Sequence, residues 1–492
     1  MIVALLLVLA SPASAIECLT PLLAQQRALF NPMPTRPTEG GMFSFEDDDV
    51  VEYLDSEDGS VRVHYSVSGS SVTILDDDDS DGLPDFAQLV AATTAAVFDH
   101  YESLGFRRPL GEEEMGLGEV GGSYAFDVYL VDFAGQGDGA FSADSCDSQP
   151  NVCSGFFMME NDFAGYGYSN LTQAVNTLTS HELFHAVQAA YEAESPVWWS
   201  EGTATLAERL FDPDSEDFIH LAGYYLDDTG RSLDNPPTGP VPTFAYATAL
   251  WWDFMNVRLG TDAIVALQQA LEWDGADKDT LTEMQAVIEA NGSDLATEWS
   301  TFTQWNLATK FRAGAMESHE YAAEIGPIDI SAMGATLEDD NRFYPLAASY
   351  YQLQHPGGEL WFSHDDDATG VIFTLHPVVD GTESGAVEPA LVEWTPTEPA
   401  WFQVAEDLDA GIYWLVGTQA RISDSSQKFL FCLGDAAQAE ICLAAPGDTG
   451  ATDDTGDSEP PGKCGCTSAP TAPVGLGLLA MLGLTLGWRR RE

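Results

Sequence analysis

Two histidines and a glutamate lie close together in the sequence Ser-His-Glu-Leu-Phe-His, at residues 180–185. His181 and His185 are four residues apart, so on a helix both imidazoles project from one face, where they can bind the same Zn²⁺. Glu182 lies beside them, where it can take a proton from water that the metal activates. With nine histidines in 492 residues, a chance match to HExxH is improbable. The pattern therefore predicts a zinc site with a general base.

A catalytic zinc site has three protein ligands and keeps one coordination position for water. Glu201 is the best candidate for the third ligand, because it follows the histidines beyond a turn marked by Ser195 and Pro196. Two histidines and one carboxylate leave the fourth position open. This ligand set predicts a catalytic site rather than a closed structural one.

The sequence around these residues resembles the gluzincin metallopeptidases, in which Trp-x-x-Glu-Gly-x-Ala follows the two histidines, as at residues 198–204. Residues 60–270 also resemble a family of secreted metalloproteases of myxobacteria and their relatives. The shared features are a His-Tyr strand, an Asp-rich Gly-x-Pro-Asp loop, a strand ending near Asn-Asp and His-Glu-x-x-His-Ala-Val-Gln. The resemblance implies an α+β, zincin-like domain in which a mixed sheet packs beside an active-site helix.

The same resemblance implies further site residues. Tyr246, at the start of a predicted helix, matches a tyrosine that donates a hydrogen bond to the oxyanion; a core position is the alternative. Glu160 and Asn161 match a strand that lays out the substrate and captures its amino terminus, and an edge strand that binds extended peptide backbone is the alternative. Where some gluzincins carry an acid that orients a histidine, this chain has Thr205, and Glu208 is the other candidate.

An acidic loop at residues 76–85 precedes a predicted helix at residues 86–104. Carboxylates on alternate residues, with Gly82 at the sharp turn, are what a short loop needs to bind Ca²⁺. The alternative is an acidic turn that caps the helix. The predicted calcium ligands are Asp77, Asp79, Asp81 and Asp85.

The chain is strongly acidic, with 18 Lys+Arg against 79 Asp+Glu and a net charge of −61. Such a charge repels nucleic acid, so no nucleic-acid partner is predicted. Residues 1–15 combine an apolar run with a small-residue cleavage pattern, which predicts a secretory signal peptide. Export to an oxidising compartment favours disulfides between cysteines that are close in sequence, and Cys18 is left over. The predicted pairs are Cys146 with Cys153 and Cys432 with Cys442.

The pattern along the chain divides it into segments. Residues 124–132 predict a strand, and a glycine-rich connection follows. Short alternating segments from residue 343 to residue 443 predict a small β-sandwich. The predicted segments are a signal peptide (1–15), a zincin-like metallopeptidase domain (16–335), an all-β sandwich-like domain (336–443), an acidic flexible linker (444–463) and a C-terminal segment (464–492).

The last segment has Cys464-Gly-Cys466, an uncharged run and terminal arginines. This order resembles the myxobacterial C-terminal sorting tag, whose tail is removed near a cysteine; a plain membrane anchor is the alternative. The sequence thus predicts an exported zinc metallopeptidase, at the cell surface or outer membrane or in the medium, that acts on protein or peptide and contacts the membrane before processing. A non-catalytic surface adhesin or binding protein on a zincin scaffold is the alternative function.

Overall fold

The computed structural model describes residues 18–24, 36–41, 43–146, 152–215, 217–239, 242–276, 278–366, 368, 370–422, 425–437 and 439–440. The predicted signal peptide, Cys442, the acidic linker and the C-terminal segment lie outside these residues. Among the described helices, none is long and apolar enough to cross a membrane. The described chain mixes helices with three sheets, so the prediction of an α+β fold is confirmed.

The first sheet has five strands in the order β1-β2-β3-β5-β4. Strands β2, β3 and β5 run parallel, and β1 and β4 run antiparallel to their neighbours. The prediction of a glycine-rich connection after β3 is wrong for residues 139–146, because they form the edge strand β4. The strands are β1 Val51–Asp55, β2 Val61–Ser66, β3 Phe126–Val131, β4 Gly139–Cys146 and β5 Cys153–Glu160.

Nine α-helices lie wholly within the described residues, and they carry most of the large buried apolar side chains of the first 310 residues. Asn170 caps the second helix through a hydrogen bond from Gln173 N to its side chain, which satisfies one of the free donors of the first turn. The predicted helix at residues 243–259 is divided at Thr248. The helices are α1 Asp85–Ser103, α2 Leu171–Ala189, α3 Val197–Phe211, α4 Asp217–Leu226, α5 Thr243–Ala247, α6 Ala249–Leu259, α7 Thr261–Ala270, α8 Thr280–Ala290 and α9 Leu295–Leu307.

Two further sheets follow the helices and pack face to face around a core of aromatic rings. Phe373 of one sheet contacts Phe343 and Phe362 of the other, with ring centroids 5.7 and 4.9 Å apart. One sheet has the order β11-β10-β13-β8-β6 and the other β12-β9-β14-β7. The strands are β6 Ala332–Gly334, β7 Leu337–Phe343, β8 Ala347–His355, β9 Gly358–His364, β10 Val371–Pro377, β11 Val392–Trp394, β12 Ala400–Leu408, β13 Gly411–Gln419 and β14 Gln427–Gly434.

The paired sheets pack directly on the last helix. Trp299 of α9 donates a hydrogen bond from its indole nitrogen to Thr418 Oγ1 of β13, at 2.8 Å. Tyr350 of β8 donates its hydroxyl proton to the carbonyl oxygen of Thr303, at 2.9 Å. Buried residues of both regions belong to one continuous hydrophobic core, which includes Trp299, Tyr350 and Trp414.

One of the two predicted disulfides is confirmed. Cys146 and Cys153 are bonded to each other and join the edge strand β4 to β5. Cys432 is also disulfide-bonded, and its predicted partner Cys442 lies outside the described residues. Cys18 is a free thiol and is fully buried.

Candidate metal centre

Two adjacent helices carry the predicted zinc ligands. The helix α2 holds His181, Glu182 and His185, and α3 holds Glu201. The hydroxyl of Tyr101 joins the helices, because it donates to Ser180 O on α2 at 2.7 Å and lies 3.3 Å from Ala207 O on α3.

Two glycines allow close packing around these helices. A Cβ atom on Gly202, the residue after Glu201, would lie 2.1 Å from Thr248 Oγ1. A Cβ atom on Gly139 of the edge strand β4 would lie 2.7 Å from the side chain of Leu178 on α2. Real Cβ atoms do not approach other atoms so closely, so any larger residue would displace its neighbours. The glycines therefore help to fix α3 against α6 and α2 against the sheet edge.

Four buried side chains converge beside these helices: Cys18, His181, His185 and Glu201. Glu201 Oε2 lies 3.2 Å from His181 Nε2 and 3.5 Å from His185 Nε2. The sulfur of Cys18 lies 3.5 Å from His185 Nε2. One donor atom from each of these residues lies within 4.8 Å of the others, close enough for the group to hold a single metal ion. Glu201 Oε1 is buried and has no hydrogen-bond partner in the described part of the chain.

The outward-facing nitrogen of each histidine is held by a neighbouring side chain. His181 Nδ1 lies 2.8 Å from Glu208 Oε1, and His185 Nδ1 lies 2.8 Å from Gln188 Oε1. Gln188 is itself fixed, because its amide nitrogen donates to Ser200 O at 2.8 Å. Such contacts orient the rings and direct both Nε2 atoms to the centre. Of the two candidates for orienting a histidine, the structure brings Glu208 to His181 and not Thr205, whose hydroxyl has no partner among the described residues.

Burial and the charges within the site together set its ionisation. Burial raises the pKa of Glu182 to about 7 and lowers the pKa of His181 to about 4. Burial opposes charge on Glu201 as well, but His185 and the hydrogen bonds from both histidines lower its pKa to about 2. Burial also opposes charge on His185, while the carboxylates of Glu201 and Glu182 raise its pKa to about 9. The centre thus favours a positive charge, which a divalent cation can supply in place of a proton.

Glu182 and Tyr246, the predicted base and oxyanion donor, lie beside the candidate metal ligands. Glu182 Oε2 accepts a hydrogen bond from Thr20 Oγ1 at 3.0 Å, and its Oε1 is buried with no partner among the described residues. The ring of Tyr246 stacks on His181, with centroids 5.8 Å apart. Its hydroxyl donates to the carbonyl oxygen of Cys18 at 3.0 Å.

The edge-strand interpretation of Glu160 and Asn161 is wrong. Glu160 ends β5, which lies between β3 and β4 inside the sheet, so its backbone has no free edge to offer a substrate. Its carboxylate accepts hydrogen bonds from Phe133 N at 3.0 Å and Tyr166 OH at 3.2 Å. Asn161 is buried and donates to Val72 O at 2.8 Å. The free edge beside the site belongs to β4 instead.

The acidic loop gathers three of its four predicted ligands. Carboxylate oxygens of Asp77, Asp79 and Asp85 lie within 4.8 Å of one another. Asp81 is not one of these three grouped carboxylates, and its own oxygens accept hydrogen bonds from Leu83 N at 2.8 Å and Gln88 Nε2 at 2.7 Å. The prediction of Asp81 as a side-chain ligand therefore does not match this arrangement.

Two residues at the site were missed from the sequence, Cys18 and Thr20. The sequence showed only that Cys18 is left over after the predicted disulfide pairs are formed. Nothing in the residues next to it indicates a metal ligand. Comparison with models of known protein families gives no match, and comparison with curated proteins gives none either. The resemblance to gluzincins therefore depends on the quoted motifs alone.

Proposed function

We propose that the chain is a zinc-dependent metallopeptidase of the gluzincin type, with His181, His185 and Glu201 as the metal ligands. The supporting observation is that both Nε2 atoms and the Glu201 carboxylate converge on one buried point with Glu182 beside it. Imidazole nitrogen and carboxylate oxygen are donors that suit Zn²⁺. The unpartnered Oε1 of Glu201 fits the same assignment, since a buried carboxylate oxygen needs a positively charged or hydrogen-bonding neighbour.

Each remaining side chain has a defined part in peptide hydrolysis. A bound Zn²⁺ would polarise the peptide carbonyl and lower the pKa of the attacking water. Glu182 takes the proton of that water and later gives it to the leaving amine, and a pKa of about 7 suits both transfers. Tyr246 donates a hydrogen bond to the substrate oxygen as negative charge develops on it. Its hydroxyl already donates to a peptide carbonyl in this structure.

The edge strand β4 supports peptide as the substrate class. An extended peptide can add to a free strand edge through backbone hydrogen bonds, whatever its side chains. Gly139 and Phe141 of β4 form hydrogen bonds with residues 19 and 20 in this structure, so this edge already accepts a chain segment. We propose extended segments of protein or peptide as the substrate.

A closed zinc site on a non-catalytic surface protein is the second candidate, and one observation favours it. Cys18 adds a fourth protein donor, and four protein ligands are the arrangement of structural zinc sites. Glu182 favours the enzyme instead. A structural zinc site does not need a general base. Burying the Glu182 carboxylate costs free energy, because one of its oxygens has no hydrogen-bond partner among the described residues.

Zinc analysis combined with hydrolysis of casein, an unstructured protein, separates the two candidates. We expect equimolar zinc in the full chain and cleavage of casein that a chelator abolishes. Because the Cys18 thiol lies against the site, the assay is made on the wild type and on Cys18→Ala. Zinc at full occupancy with no cleavage by either protein would identify a structural site. Absence of zinc from the purified protein after exposure to the metal would contradict both candidates.

We also propose that the acidic loop binds Ca²⁺ through Asp77, Asp79 and Asp85, because hard oxygen donors are the ligands that this ion prefers. Added Ca²⁺ should raise the Tm by mass action, and Asp77→Asn with Asp79→Asn should abolish that rise. Asp81→Asn is the matched control, since its carboxylate bonds Leu83 and Gln88, and it should keep most of the response. An equal calcium response in all three proteins would leave the loop as an acidic helix cap.

We also propose export to the cell surface or the medium, because residues 1–15 have the pattern of a signal peptide and residues 464–492 resemble a sorting tag. The disulfide between Cys146 and Cys153 supports an oxidising compartment.

A further inference from the structure

Residues 18–20 lie across the candidate active site and contact its main groups. The Cys18 sulfur lies 3.5 Å from His185 Nε2, and the Cys18 carbonyl accepts a hydrogen bond from Tyr246. Thr20 donates to Glu182. Consequently a metal-ligand candidate, the general base and the oxyanion donor all contact this one short segment. We call residues 18–20 the blocking segment.

The blocking segment is docked on the free edge of the first sheet. Leu19 N donates to Gly139 O at 2.9 Å, and Cys18 forms a parallel bridge with Gly139. Phe141 N donates to Thr20 Oγ1 at 2.7 Å. These β4 groups are the ones that an added peptide strand would use. The blocking segment and a peptide substrate would therefore compete for the same edge of β4.

The thiol of Cys18 lies among the three proposed zinc ligands. Its sulfur and one donor atom each from His181, His185 and Glu201 lie within 4.8 Å of one another, and all four side chains are buried. Thiolate sulfur, imidazole nitrogen and carboxylate oxygen are all established zinc donors. The segment's backbone and hydroxyl contacts hold the sulfur at this position independently of any metal.

We propose that Cys18 is a fourth zinc ligand that keeps the peptidase inactive while the blocking segment is docked. This inference depends on the proposed function of the centre. On binding, the thiol loses its proton to solvent and the thiolate occupies the coordination position that the attacking water needs. When the segment leaves, that position and the β4 edge become free together. Activity is then proportional to the fraction of molecules in which the segment is undocked.

Cobalt spectroscopy tests the ligand without using activity. The full chain carrying Glu182→Gln is loaded with Co²⁺, because this variant keeps the proposed ligands and removes the base. We expect a near-ultraviolet thiolate-to-cobalt charge-transfer band, and its loss in the double variant with Cys18→Ser. Thr20→Val in the same background is the control, because it alters the docked segment and keeps the sulfur, so it should keep the band.

The outcomes separate the two proposals. Cobalt bound with no charge-transfer band in the Glu182→Gln protein would overturn Cys18 ligation and leave the zinc centre intact. No cobalt binding in any of these proteins would overturn the zinc centre itself, and the inference with it.

Casein hydrolysis then tests inhibition. Zinc-loaded Cys18→Ser should be more active than the wild type by about tenfold or more, because the docked state loses its metal bond. Equal rates in the two zinc-loaded proteins, with cleavage that a chelator abolishes, would contradict inhibition by the thiol. Activity in neither protein would instead count against the peptidase.

Discussion

Replacing Glu182 with glutamine should lower casein hydrolysis by about 10²- to 10⁴-fold, the usual contribution of a general base. The side chain is buried beside the proposed metal ligands, and one of its oxygens has no partner among the described residues. Glutamine has nearly the same shape and still accepts a hydrogen bond from Thr20, but it cannot take up a proton from water. The change is made in the Cys18→Ala chain, so that docking of the blocking segment does not obscure the rate.

Zinc content should stay at one equivalent in this variant, because His181, His185 and Glu201 all remain. Glu194→Gln is the matched control: it makes the same chemical change on an exposed loop and should leave the rate unaltered. Normal turnover by Glu182→Gln would rule out this glutamate as the base. A fall in zinc content that parallels the fall in rate would instead make Glu182 part of the metal-binding set.

In the Cys18→Ala chain, Glu201→Ala should release the metal. Glu201 is the carboxylate that approaches both Nε2 atoms, so its loss leaves the two histidines with no carboxylate partner at the centre. Zinc is measured after dialysis against chelators of increasing strength, and casein hydrolysis is followed in parallel. Both should be lost together.

Glu208→Gln provides the comparison for that experiment. Glu208 contacts Nδ1 of His181 on the side facing away from the centre, so it acts by orienting the ring. Loss of such a contact typically weakens metal binding by about 10- to 100-fold. The Glu201→Ala effect should exceed it. A variant without Glu201 that keeps both zinc and activity would show that the third ligand lies elsewhere.

The local parts of the site could be predicted from sequence because they depend on local geometry. The spacing of His181 and His185 fixes them on one face of a helix, and the structure has that helix at Leu171–Ala189. Glu201 follows on the next helix, after a short turn. The acidic loop is also local, and the structure groups three of its four predicted ligands, Asp77, Asp79 and Asp85.

The missed parts depend on contacts between distant segments. Cys18 is separated from His185 by 167 residues, and no periodicity relates them. The strand order in the sheet also depends on distant contacts. The sequence of residues 153–160 is compatible with either an edge strand or an interior strand, and β5 is interior because β4 pairs with it on the side away from β3. The β4 sequence itself, Gly-Ala-Phe-Ser-Ala-Asp-Ser-Cys, has small and polar residues that are also common in connections.

The contact between α9 and the paired sheets restricts how this protein can vary. The Trp299 indole bonds Thr418, Tyr350 bonds Thr303, and the apolar core continues between them. Removing the sheets would leave a buried tryptophan and its neighbours facing water, at a cost of roughly 25 cal/mol for each Å² of apolar surface exposed. The strands after residue 335 therefore share a buried core with the helices that precede them. We expect the helices that carry the candidate metal centre and the sheets that cover α9 to unfold together.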